Sequence, residues 1–84
     1  MAKSIFTKEY ALFLYCLRKS RKAAGLTQEE VAERLKQTQS FVSKCERGER
    51  RIDVVELGAF CYAIGTSLSD FIQQLEIAIE QTDK

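Results

Sequence analysis

The sequence predicts an all-α domain, and three observations carry that prediction. Proline is absent, and three of the four glycines (Gly25, Gly48 and Gly65) fall where amphipathic stretches end. Thr, Ser or Asp followed three residues later by Glu or Asp recurs ahead of apolar-periodic runs, the mark of a helix N-terminus. No segment sustains the two-residue alternation of a half-buried strand. At 84 residues the chain reads as one domain, residues 1–84, without linker or internal repeat. A core this small is thin, and oligomerisation would support it.

Helix 1 is expected from about Thr7 to Ala24, with Phe13, Leu17, Arg21 and Ala24 on one face and Leu14 beside them. The run Tyr10 to Tyr15 is apolar nearly all round, more than a helix with one wet face can hide. Either the C-terminal helix of the same chain or a second subunit must cover the surplus. Arg18, Lys19 and Lys22 make the C-terminal half basic, which suits the helix macrodipole and also brings positive charge within reach of phosphate.

Residues 27–47 read as two short helices joined by a tight turn. Thr27 with Glu30 forms a capping box; Val31, Ala32 and Leu35 then share one face. Lys36-Gln37 carries the chain round, and Thr38 is a second N-cap. From Gln39 to Arg47 only Val42 and Cys45 form a buried i, i+3 pair, and Gly48 supplies the left-handed residue that ends the helix. Asp53 with Glu56 opens helix 4, whose expected core stripe is Val54, Leu57, Cys61 and Ile64, ending at Gly65. Ser67 with Asp70 opens helix 5, expected over about residues 68–81 with Leu68, Phe71, Ile72, Leu75 and Ile79 in its stripe.

Composition removes several function classes. There is no histidine, and the three cysteines (Cys16, Cys45, Cys61) show no C-x-x-C spacing. Zinc fingers, histidine bases and Ser-His or Cys-His nucleophiles are thereby excluded, so no catalytic residue, metal or cofactor is expected. Each cysteine sits among apolar residues and reads as a small buried hydrophobe. No signal peptide or membrane-length apolar run is present, so a soluble, cytoplasmic protein is expected.

The net charge of +1 conceals a split. Residues 1–51 hold twelve Lys/Arg and six Glu, a net +6; residues 52–84 hold one Lys and six acids, a net −5. One basic side and an acidic rear suit a polyanionic partner. Helix 3 leaves Gln39, Ser40, Phe41, Ser43, Lys44 and Arg47 outside. A face of amide, hydroxyl and cationic groups on a helix ~12–14 Å long matches the width of a DNA major groove. The outward aromatics needed for stacking on RNA bases are few.

With R-x-x-x-G-L-T-Q-E-E-V-A, then Q-S-F-V-S-K, then E-x-G-E-R-R, the chain resembles the lambda-repressor/Cro-like, or XRE-type, helix-turn-helix proteins. The resemblance runs from about Leu17 to Ile72. It implies a five-helix lambda-repressor-like DNA-binding domain, here with an extended C-terminal helix. It further implies a structural salt bridge between Arg21 and Glu46, and a pair of glutamines working together, Gln28 bracing a phosphate and Gln39 reaching a base edge. Ser40 and Lys44, at i and i+4, would address successive base pairs, the lysine favouring guanine O6/N7. Phe41 is left with two uses, covering a thymine methyl or folding back on helix 2. Thr38, Ser43, Arg47, Arg50 and Arg51 are expected at the DNA backbone.

The expected function is a sequence-specific transcriptional regulator, a repressor, that binds a palindromic operator in double-stranded DNA as a homodimer through residues 39–47. The alternative is an antitoxin-like or other interaction module that holds a protein partner at helices 1 and 5, with DNA binding secondary.

Overall fold

The computed structural model describes residues 7–82; of the charges counted above, Lys3, Asp83 and Lys84 lie outside them. Five helices follow one another: α1 (Lys8–Ala23), α2 (Gln28–Leu35), α3 (Gln39–Arg47), α4 (Val54–Ile64) and α5 (Leu68–Thr82). Among the described residues there is no strand.

Each helix begins where a side chain replaces a missing backbone partner. Thr7 accepts from the Tyr10 N–H at 3.1 Å, Thr38 from the Phe41 N–H at 3.1 Å, and Ser67 from the Asp70 N–H at 3.0 Å. Two reciprocal boxes form: Glu30 N–H to Thr27 Oγ1 (3.1 Å) with Thr27 N–H to Glu30 Oε1 (2.9 Å), and Glu56 N–H to Asp53 Oδ1 (2.8 Å) with Asp53 N–H to Glu56 Oε1 (3.0 Å). Such caps satisfy otherwise orphaned amides and stabilise a helix by roughly 1 kcal/mol each. α3 and α4 stop at Gly48 (φ 82°) and Gly65 (φ 97°). α2 stops differently, at Lys36 with φ 59°, a left-handed conformation that no glycine signalled.

The core lies between all five helices, with Leu17 of α1, Val31 of α2, Val42 and Cys45 of α3, Phe60 and Cys61 of α4 and Phe71 of α5 almost wholly excluded from water. Phe13 meets Phe71 edge-on with centroids 5.8 Å apart, so α5 covers α1 within the same chain. Edge-to-face contact is the arrangement an aromatic quadrupole prefers. This packing takes up much of the apolar surplus of α1. Tyr15 on α1, with Ile72 and Ile77 on α5, stays exposed.

Two stripe assignments shift. Val54, expected in the core, is 63% exposed because it starts α4 at the molecular rim; Phe60 and Ala63 are buried instead. Ile72, expected in the stripe of α5, lies at its wet edge. Ala24 is the exposed C-cap of α1 rather than part of its buried face. All buried side-chain nitrogen and oxygen atoms among the described residues have hydrogen-bond partners.

Candidate nucleic-acid interface

The tight α2–α3 connection sets the angle at which α3 is presented. Lys36 turns the chain, the Gln37 N–H returns to the Ala32 carbonyl at 2.9 Å, and Thr38 opens α3. Val42 and Cys45 then anchor α3 on Val31 and Ala32 in the common core. Besides these two, α3 buries Glu46 and turns Phe41 partly inward, which leaves its other polar side chains available to a partner. Gln39, Ser40, Lys44 and Arg47 are exposed, and Ser43 is half-buried.

Beneath that face lies a buried polar anchor. Arg21 Nε donates to Glu46 Oε2 at 2.7 Å and Arg21 Nη2 to Glu46 Oε1 at 3.0 Å, both side chains being under a tenth exposed. The third side of the guanidinium donates to the Leu26 carbonyl at 2.9 Å. Gln28 Nε2 adds a bond to Glu46 Oε1 at 3.0 Å. Arg18, expected to face solvent or phosphate, donates to the Glu46 carbonyl at 3.2 Å. A cation at the last carbonyls of α3 is favoured by the helix dipole. The anchor thus ties α1 and α2 to the C-terminal half of α3 and holds its outer face in place.

The expected site residues divide into two groups. Gln39, Ser40 and Lys44 make no side-chain hydrogen bond or ion pair among the described residues, and stand free on the outer face. Thr38 accepts from the Phe41 N–H yet keeps its own hydroxyl proton to donate. The Gln28 amide likewise keeps a second N–H.

The arginines are engaged. Arg47 Nε and Nη2 grip Glu49 at 2.9 and 3.2 Å, and Arg47 Nη1 donates to the Ser43 hydroxyl. The hydrogen bonding between Arg47 and Glu49 holds the Glu49 carboxyl below the usual carboxylate range and raises Arg47. Arg50 turns back to Glu56 Oε2 (2.8 Å) and the Arg51 carbonyl (3.1 Å), with its guanidinium 4.9 Å from the Phe41 ring centre. Its hydrogen bond is the main cause lowering the Glu56 carboxyl. Arg51 lies over the Tyr10 ring at 4.6 Å, and Tyr10 Oη accepts from the Ile52 N–H at 3.2 Å.

Phe41 is half-buried and turns toward α4. Its ring stacks on Phe60 of α4, with centroids 6.3 Å apart and planes at 17°. Burial against α4 removes more apolar surface from water than an exposed pose on α3 would, and the cation–π contact with Arg50 adds to it.

A buried brace beneath a short, outward-facing helix in a helix–turn–helix unit defines a DNA-binding module. The helix-turn-helix domain family model matches residues 15–71, and the chain belongs to the XRE-type helix-turn-helix family of DNA-binding proteins. It is similar to an XRE-family-like protein from Pseudomonas syringae pv. tomato str. DC3000, with 45% identity and a TM-score of 0.82 over 92% of this chain and 94% of that one. It is also similar to the clp gene regulator ClgR from Corynebacterium glutamicum. One structure of that protein gives 25% identity and a TM-score of 0.75 over 86% of this chain and 94% of that one. A second gives 25% identity and 0.72 over 92% and 86%. No curated protein matches the chain in sequence. Regulation of transcription through DNA binding is the function class these findings support. No helix among the described residues is long and apolar enough to cross a membrane, and no group of side chains there is arranged to hold a metal ion.

Proposed function

We propose that the chain is a sequence-specific transcriptional repressor that occupies a palindromic operator as a homodimer, with α3 in the major groove. One observation carries this reading: Gln39, Ser40 and Lys44 stand unpaired on the outer face of a helix whose inner end is fixed by the Arg21–Glu46 pair. A Gln amide bonds adenine through N6 and N7, and a lysine donates to guanine O6/N7. Gln28, Thr38 and Ser43 supply neutral donors to phosphate, and Arg47 and Arg51 supply charge. Arg50 stands further back, held on Phe41 and Glu56, and Phe41 serves as its platform rather than as a base contact.

One copy offers few phosphate partners, and non-specific binding of such modules at physiological salt is weak, with Kd of ~10⁻⁴–10⁻⁶ M. Two copies on half-sites about one helical turn apart multiply the contacts. The similarity to a gene regulator supports the regulatory assignment. Exposed Tyr15, Ile72 and Ile77 favour a second reading, a protein-interaction module whose partner covers α1 and α5.

Selection of bound duplexes from random DNA near 0.15 M salt distinguishes them. An enriched palindrome with half-sites about one turn apart is the expected result. Salt-sensitive binding without an enriched sequence would transfer the assignment to the interaction module.

A further inference from the structure

We propose that Glu49 is a built-in competitor for the Arg47 guanidinium, which a DNA phosphate must displace, and that it lowers affinity for duplex of every sequence and flattens its salt dependence. The proposal rests on the DNA-binding reading of α3 and assigns an acidic residue to that same interface.

The geometry is that of a phosphate site already filled. Arg47 ends α3, and Gly48 at φ 82° folds the chain back, so that Glu49 meets the arginine only two residues later. The two carboxylate oxygens take Nε and Nη2, the parallel pair of donors that an arginine offers a phosphate. Ser43 occupies the remaining edge. Both members of the pair are 53% exposed, so the exchange of carboxylate for phosphate needs no opening of the core.

Neither of the other arginine–carboxylate pairs among the described residues has these properties. Arg21–Glu46 is buried. Arg50–Glu56 is fixed from several sides: Glu56 also closes the α4 capping box, and Arg50 rests on Phe41 and bonds the Arg51 carbonyl. Arg47–Glu49 is the exchangeable one.

Counterion release gives the consequence. A bare guanidinium that neutralises a phosphate frees condensed cations and adds about 0.9 to the slope of log K against log salt. Arg47 starts neutralised by its own chain. As phosphate takes its place, Glu49 is released beside the polyanion and recruits a cation, so much of the salt dependence cancels. The residual carboxylate also repels the backbone of any duplex.

The test measures Kd for the selected operator and for an unrelated duplex, using the full chain, over about 0.05–0.2 M salt, the range in which the slope of log K against log salt is read. Glu49→Gln, Arg47→Ala, the double substitution and Glu76→Gln are compared with the unsubstituted chain, each checked for folding by its melting curve. Glu76→Gln makes the same change in net charge on exposed α5. Glu49→Gln is expected to bind both duplexes about three- to tenfold more tightly at the low-salt end, with a slope steeper by up to about 0.9. Arg47→Ala should cost more in the Glu49→Gln background than alone, and Glu76→Gln should leave the slope where it was.

Unchanged affinity and slope in Glu49→Gln, weaker binding by it, or an equal gain from Glu76→Gln would each overturn the proposal while leaving the DNA-binding reading intact. An unsubstituted chain that binds neither duplex overturns both.

Discussion

Gln28 Nε2 donates to Glu46 Oε1 at 3.0 Å, the same oxygen that accepts from Arg21 Nη2. One carboxylate therefore joins three helices, and it sits directly beneath the face proposed to read DNA. A buried ion pair of this kind adds little over an apolar substitute, whereas its half-removal strands a charge.

Arg21→Ala or Glu46→Ala should accordingly lose about 3–5 kcal/mol in urea unfolding, a large part of what so small a domain has. Replacing both members by apolar residues of similar volume should recover most of that loss. If the single substitutions unfold at the midpoint of the unsubstituted chain, the pair does not hold α3.

Gln28→Ala should lose about 1 kcal/mol of stability, since Glu46 keeps its arginine. It should also weaken binding to operator and unrelated duplex by the same factor, because a phosphate contact carries no sequence information. A selective loss for the operator would place Gln28 in the groove instead.

Lys44→Ala and Arg51→Ala should separate base reading from charge. The lysine substitution is expected to relax preference at one position of the half-site by about 1–3 kcal/mol; the arginine one should weaken all sequences alike and flatten the salt slope by about 0.9. Competition binding with single-base variants of the operator measures both. Equal loss of preference from the two would mean that Lys44 does not reach a base edge.

Backbone conformation gives a prediction with no contact to lose. Lys36 holds φ 59°, a region that costs a residue with a Cβ about 1 kcal/mol or more, so Lys36→Gly should raise the urea midpoint. Gly65 holds φ 97°, and a Cβ built there would meet nothing within 4 Å. Gly65→Ala should nevertheless destabilise the chain by about 1–2 kcal/mol, from backbone strain alone.

Burial pushes the Cys16, Cys45 and Cys61 thiols up from their ordinary value of 9.0. The folded state therefore keeps these protons at a pH where the unfolded chain gives them up. That contribution to stability is whole below about pH 9 and is lost as pH rises beyond it. Urea midpoints should fall between about pH 8 and pH 10, with thiolate absorbance appearing only as the chain unfolds. Thiolate absorbance in the folded protein near pH 9 would contradict this.

Helix boundaries were legible in the sequence because each is decided within four residues. Thr27 with Glu30, and Asp53 with Glu56, write their hydrogen bonds into the local chain, and Gly48 and Gly65 mark their stops in the same way. The outward set Gln39, Ser40 and Lys44 was readable by subtraction, once Val42 and Cys45 were assigned to the core. Lys36 was not, since nothing near it distinguishes a left-handed lysine from a helical one.

What stayed hidden depends on neighbours distant in the chain. Phe41 turns to Phe60, Arg18 reaches the Glu46 carbonyl, and Arg34 donates to the Ala63 carbonyl at 2.8 Å. Each choice follows from how the helices pack on one another, and local periodicity does not encode it. The partners of the arginines were equally unwritten: Arg47 meets Glu49, Arg50 turns to Glu56 and Arg51 lies over Tyr10 through the path the chain takes after Gly48, which helical periodicity does not describe.

The contact of Phe71 with Phe13 has a consequence in time. During synthesis the first helix leaves the ribosome long before the last, and until residue 71 emerges Phe13 has the neighbouring Tyr10 ring but not the Phe71 ring that covers it. The groups that would grip DNA are complete by residue 51, yet the layer that closes behind them arrives afterwards. A nascent chain of this protein carries α3 before the layer that closes the core behind it, and its sticky, half-built interval is as long as the translation of α4 and α5.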